Sequence, residues 1–156
     1  MTTRAALGVT LIAIVIVALS SAQEGENTIQ RSQLPPAVQK TVEQQSTGAT
    51  VRGFSKEREN GKTLYEVELD VNGHSKDILM DSRGVIAEVE EEVAFDSLPA
   101  TVKSGLQAKA GRGKILKVES ITKRDQLMAY EAKVVTDGKK SEIPVGPNGQ
   151  SLAHEE

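Results

Sequence analysis

The chain reads as an α+β protein in which a short helix and an antiparallel four-stranded meander are written twice. Three observations predict this. Leu64 to Val71 alternates Tyr65, Val67, Leu69 and Val71 with Glu66, Glu68 and Asp70, the period of a strand with one buried and one wet face. Asn72-Gly73 follows directly, the strongest short-range signal for a hairpin. The construction then returns in Met128 to Gly138, where Tyr130-Glu131 and Gly138 match Tyr65-Glu66 and Gly73 at a constant offset of 65.

The N-terminus is set apart from the fold. Arg4 is the only charge before Glu24, Ala5 to Leu19 is apolar, and Ser20-Ser21-Ala22 offers small residues at a cleavage site. Residues 1–22 are therefore expected to be a secretory signal peptide, cut before Gln23. The apolar run falls short of the roughly 20 residues needed to span a bilayer, so cleavage is expected over anchoring. The protein is then periplasmic or secreted. It has no Cys, so packing rather than disulfides must hold it together. The chain left after cleavage carries 18 basic and 22 acidic side chains, a balance that favours no polyanionic or polycationic partner.

In chain order, residues 23–32 are polar and read as a flexible leader. Leu34-Pro35-Pro36 opens a helix whose Leu34, Val38 and Val42 share one face, and Gly48 ends it. Ala49 to Glu59 reads as a first strand kinked near Gly53, and Asn60-Gly61 turns it into the central strand. His74 to Met80 and Val85 to Glu90 supply two more strands around Asp81-Ser82-Arg83-Gly84, closing a first unit at residues 33–92. Residues 93–156 repeat it. Leu98-Pro99, Val102 and Leu106 match Leu34-Pro35, Val38 and Val42 at an offset of 64, while Gly138 and Gly149 match Gly73 and Gly84 at 65. Units of about 60 residues bury too little apolar surface to stand alone, so one folding unit is expected from the pair.

Little in the chain points to chemistry. Ser55, Ser75, Ser82, Ser97 and Ser104 lack a nucleophile-elbow context or a placed histidine, so no enzyme is expected. Gly111-Arg112-Gly113 follows a helix, not a strand, and reads as a helix stop rather than a phosphate loop. Glu66, Glu68 and Asp70 lie along one strand about 7 Å apart, which makes no cage for a hard cation. His74 and His154 have no second ligand nearby, so neither a metal nor a cofactor is expected. Basic residues without interleaved aromatics, in a chain expected to be exported, argue against a nucleic-acid groove.

A helix opened by Leu-Pro, then strands carrying Tyr-Glu-Val, Asn-Gly and a glycine turn before a last strand, resembles the PepSY-like domain, in a tandem arrangement similar to that of the beta-lactamase inhibitor protein. The likeness covers about residues 33–156. It implies an exported protein with helices on one face of an antiparallel sheet and the other face open. It further implies a non-catalytic role in binding, inhibiting or regulating a secreted enzyme such as a peptidase. The aromatics here are only Phe54, Phe95, Tyr65 and Tyr130, so the aromatic grip of that inhibitor is missing.

The alternation assigns the open face. With Tyr65, Val67, Leu69 and Val71 turned inward, Glu66, Glu68 and Asp70 point outward; Glu131 and Lys133 do so in the second unit. These five are the expected contacts with a protein partner in the cell envelope, through the open face or the rim loops. Residues 33–92 carry 7 basic and 12 acidic side chains, net −5, and residues 93–156 carry 10 and 8, net +2. This division reads as solvated faces whose opposite signs ease contact between the units. The alternative reading is a small-ligand or cation-responsive envelope sensor.

Overall fold

Tight turns join strand to strand through most of this chain, and each turn sends the next strand back beside the last. The computed structural model of the protein describes residues 27–59 and 61–152. The expected signal peptide and residues 23–26 lie outside them.

The result is one eight-stranded antiparallel sheet in sequential order. Its strands are β1 (Asn27–Thr28), β2 (Thr50–Glu59), β3 (Lys62–Val71), β4 (His74–Asp81), β5 (Ile86–Glu92), β6 (Lys114–Lys123), β7 (Gln126–Thr136) and β8 (Lys139–Val145). Helix α1 (Pro36–Gln45) joins β1 to β2, and α2 (Ala100–Ala110) joins β5 to β6. Each helix begins behind a Leu-Pro pair, where proline costs no hydrogen bond.

Both helices lie on the same face. Val38 and Val42 of α1 pack with Leu34, Val67, Leu69, Ile78 and Met80. Val102 and Leu106 of α2 pack with Leu98, Val118, Ala132, Val134 and Val145. Each fully buried valine or leucine contributes about 1.5–3 kcal/mol. Tyr65 and Tyr130 face these two clusters, as the alternation predicts. The interior is thus two clusters, joined by a continuous sheet rather than by one shared core. At the seam the helix face carries Glu91 opposite Ser120 and Val89 opposite Thr122.

Contacts recur along the chain at fixed spacing. Ile29 N–H donates to the Phe54 carbonyl and Val93 N–H to the Val118 carbonyl, each at 2.9 Å, the two bonds standing at an offset of 64. The turn closed by Gly84 N–H on Asp81 returns at an offset of 65 as Gly149 N–H on Gly146. The change from 64 to 65 is one residue, Met128, bulged out of β7 where Ile121 faces Ala129 and Thr122 faces Leu127.

One expectation is corrected. The leader is not flexible over residues 27–32: Asn27 and Thr28 pair with Lys56 and Ser55, Ile29 packs on the first cluster, and Arg31–Gln33 forms a single 3-10 turn. The polar composition hid one apolar anchor and a backbone ladder. The second meander shows three strands among the described residues; Ser151 bridges Val145 where the fourth would begin, and residues 153–156, over which it would run, lie outside the described residues. Ser151 stands where Ile86 enters the first cluster and offers no apolar side chain in its place.

Candidate functional site on the open sheet face

No element covers the face opposite the helices among the described residues, and register sets its side chains in rows. One row runs Glu68, Asp77, Glu90, Ile121 across β3 to β6. The neighbouring row runs Glu92, Glu119, Glu131, Pro144 across β5 to β8. Where they meet, carboxylate oxygens of Asp77, Glu90 and Glu119 all lie within 4.8 Å of one another.

Glu119 is the centre. It is 1% exposed, the largest fully buried acidic side chain in the sheet. Lys117 Nζ lies 2.5 Å from its Oε1, and Ser75 Oγ donates to the same oxygen at 3.2 Å. Lys133 Nζ lies 3.2 Å from Oε2, a second ion pair to the same carboxylate. Lys133 also reaches Glu142 at 3.7 Å.

Three carboxyls this close, two partly and one almost wholly withdrawn from water, cannot all stay ionised. Burial pushes Glu90 up to about 8, and the charges of Glu119, Glu88 and Glu131 add to it against Lys133. Burial also raises Asp77, with Glu119 adding to it and Lys117 opposing. At Glu119 burial works in the same direction, but the Lys117 hydrogen bond and the Lys133 charge outweigh it and hold its pKa below the ordinary value. Burial alone would lower Lys133, but Glu119 holds it above its ordinary value. At neutral pH the cluster is therefore an ionised Glu119 between two ammonium groups, beside a Glu90 that keeps its proton.

This has a measurable consequence. The folded state holds the Glu90 proton more tightly than the unfolded chain, so its stabilising contribution is complete below the unfolded value of 4.5 and lost as pH rises through about 8. Melting midpoints should fall between about pH 5 and about pH 8, and Glu90→Gln should flatten the curve there. A wild-type midpoint constant across that window would contradict the assignment.

The five predicted residues all lie on this face, with different roles. Lys133 belongs to the cluster. Glu66 accepts from Ser55 Oγ at 2.7 Å, and Asp70 accepts from Gly73 N–H at 2.8 Å while pairing with Arg52 at 3.3 Å. Glu68 lies over Gly53, where an added Cβ would come within 3.1 Å of its Oε1. Glu131 sits opposite Glu119. Asp77, Glu90, Glu119 and Lys117 were not singled out by sequence reasoning, and Ser75 was weighed there only as a nucleophile. The alternation of Ser75, Asp77 and Leu79, and of Glu88, Glu90 and Glu92, carried their signal.

Lys117 Nζ donates to Ser75 Oγ at 2.8 Å, the one serine–lysine contact in the cluster. An ammonium bound to a buried carboxylate is a proton donor, so it does not activate that hydroxyl as a nucleophile. At the sheet rim, a groove of about 590 Å³ opens between the connection through Phe95, the end of α2 and Leu116 of β6.

The fold, an antiparallel meander with its helices on one side, is similar to that of BLIP-like and DUF2874 family proteins of known structure. No family model and no curated protein matches the chain. A DUF2874 family protein from Bacteroides ovatus is 21% identical, with a TM-score of 0.59 over 77% of this chain and 85% of that one. A BLIP-like protein from Bacteroides fragilis is 17% identical, with a TM-score of 0.54 over 75% and 82%. A Bacteroides eggerthii protein described as periplasmic is 17% identical, with a TM-score of 0.62 over 77% and 86%. Among the described residues no helix is long and apolar enough to cross a membrane.

Proposed function

We propose that this protein is a periplasmic, non-catalytic binding module built from two tandem PepSY-like repeats, and that it docks a protein partner on its open sheet face. Inhibition or regulation of a secreted enzyme is the sharper form of that role. The observation that carries the reading is the cluster of Asp77, Glu90, Glu119, Lys117 and Lys133 in the middle of that face. Stability alone favours apolar side chains or a single well-paired ion at a half-buried rung, and crowding carboxylates there works against the fold. Such costs are kept where a surface has a task. Support for the repeats comes from the spacings of 64 and 65 in backbone contacts and from matched core positions such as Val38 with Val102 and Met80 with Val145.

The test is capture from periplasmic extract by wild-type protein, by a Glu68→Lys, Glu90→Lys, Glu131→Lys variant, and by a rim variant, Leu116→Asp. The face reading expects the first variant to lose at least about tenfold in captured partner, roughly 1.4 kcal/mol, and the rim variant to keep it. Capture that survives the face variant and fails in the rim variant would move the site to the groove beside α2.

A second reading, a cation-responsive sensor, draws on the same three carboxylates. It stands second because Lys117 and Lys133 already offset their charge. Repeating the melts with millimolar calcium separates the two, since a cation bound to the folded state alone raises the midpoint by mass action.

A further inference from the structure

The rim groove of about 590 Å³ lies where β5 ends and β6 begins, between residues 93–96, the last turn of α2 and the bulge at Leu116. In the first unit charge closes the corresponding place. Arg31, on the 3-10 turn before α1, donates to Glu43 of the helix at 3.0 Å, and Arg52, bulged out of β2, pairs with Asp70. At an offset of 64 the second unit has Phe95 for Arg31, Gln107 for Glu43 and Leu116 for Arg52, and at 65 it has Val135 for Asp70. Both ion pairs are written out of the sequence. The two walls that Arg31 and Glu43 bridge now carry no charge to bridge them. Thr47 becomes Gly111, where nothing lies within 4 Å of an added Cβ, and Leu116 stands 54% exposed.

The groove nevertheless has an electrostatic sign. Gln107, Ala110 and Gly111 bring the C-terminal end of α2 to it, and carbonyls at a helix end carry partial negative charge. Lys109, the basic residue of that last turn, is spent elsewhere, donating to the carbonyls of Pro144 and Leu152. Asp96 also lines the groove, and among the described residues no cation pairs with its carboxylate; Lys103 donates to its backbone carbonyl instead. Lys117 is the one basic lining residue, and Glu119 and Ser75 already hold its ammonium. What remains is an apolar slot with a negative wall.

We infer that this groove binds a small amphipathic cation, an apolar body carrying an ammonium or guanidinium group, in the place that Arg31 takes in the first unit. The apolar body lies against Phe95 and Leu116, and the cation meets the wall formed by the end of α2 and Asp96. The volume is that of a small-ligand pocket. The comparison between units rests on the repeat reading above; the groove and its charge stand without it.

The probe is phenylbutylamine, titrated into the protein near neutral pH while amide resonances are followed by NMR, beside its neutral and anionic analogues phenylbutanol and phenylbutyrate. The amine should shift Phe95, Gly111 and Leu116 to saturation and bind at least about threefold more tightly than the alcohol, the margin of an exposed ion pair, with the acid weakest. Asp96→Lys should remove the advantage of the amine over the alcohol. Leu116→Ser, at an exposed position that leaves the core intact, should weaken all three probes. F95R/Q107E writes the ion pair of the first unit into the second and should abolish saturable shifts, with a melting midpoint showing that the variant is folded. Equal affinity for the three probes would overturn the ligand class. Shifts confined to other residues, or amine binding unchanged in both Leu116→Ser and F95R/Q107E, would overturn the site. Binding weakened by Leu116→Ser but unchanged in folded F95R/Q107E would uphold the groove and its ligand while contradicting the correspondence between the units.

Discussion

Gly149→Val should cost the protein most of its stability, on the order of 3–5 kcal/mol out of a total of 5–15, and Gly84→Val should come close to it. Both glycines close a turn against a helix. Gly149 has φ of +83° and abuts the Thr101 carbonyl of α2; Gly84 has φ of +74° and abuts the Ala37 carbonyl of α1. A side chain there meets two penalties at once, a left-handed backbone and an overlap with a helix carbonyl that has no room to give. Thr41 strengthens the Gly84 contact by donating its hydroxyl to the Gly84 carbonyl at 2.8 Å. Gly73 is the control. Its φ is +88° but nothing lies within 4 Å of an added Cβ, so Gly73→Ala should cost only about 1 kcal/mol. Urea midpoints for the three variants give the ordering; equal losses at Gly73 and Gly149 would mean that the helix contact contributes nothing.

The second large effect is expected at Glu119. Glu119→Gln leaves Lys117 and Lys133 without the carboxylate that holds them, and breaking a buried ion pair from one side costs about 3–5 kcal/mol. Both lysines keep partial access to water, at 26% and 39% exposure of their side chains, so about 2 kcal/mol is the expected loss here. The cluster also redistributes its charge. With Glu119 neutral, Asp77 and Glu90 lose the like charge that helps raise them, and Glu90 ionises at lower pH beside Lys133. Glu119→Gln should therefore shrink the fall in stability between about pH 5 and about pH 8 although Glu90 is untouched. A double-mutant cycle with Glu90→Gln should be non-additive by more than about 0.5 kcal/mol, and strict additivity would mean that the two carboxyls do not share a site.

Features written in neighbouring residues were legible before the fold was known. Asn72-Gly73 turns with φ of +56° and +88°, the left-handed pair that a two-residue hairpin requires. Leu-Pro marks both helix starts, and the alternation around Tyr65 and Tyr130 separates helix face from open face. The cluster was hidden because it is a matter of register. Asp77, Glu90 and Glu119 come from three strands, and a register shift between Leu79 and Met80 decides which residues of β5 face β4. Glu90 was one of four glutamates near the end of a strand and looked like solubilising charge. Glu119 was a single acid between Val118 and Ser120, with nothing local to say that it would be the most deeply buried charge on the sheet. β1 was missed for a similar reason: two polar residues have no pattern, and only the ladder to Lys56 and Ser55 makes them a strand.

The claim beneath the rest is that register gathers carboxyls at the centre of an uncovered face, tightly enough for one of them to keep its proton at neutral pH. A pH titration of the glutamate side-chain carboxyl carbons by NMR reads this directly. One resonance, absent from the Glu90→Gln protein, should titrate near 8. If every glutamate carboxyl titrated below about 5.5, within the ordinary range, the cluster would not exist as described.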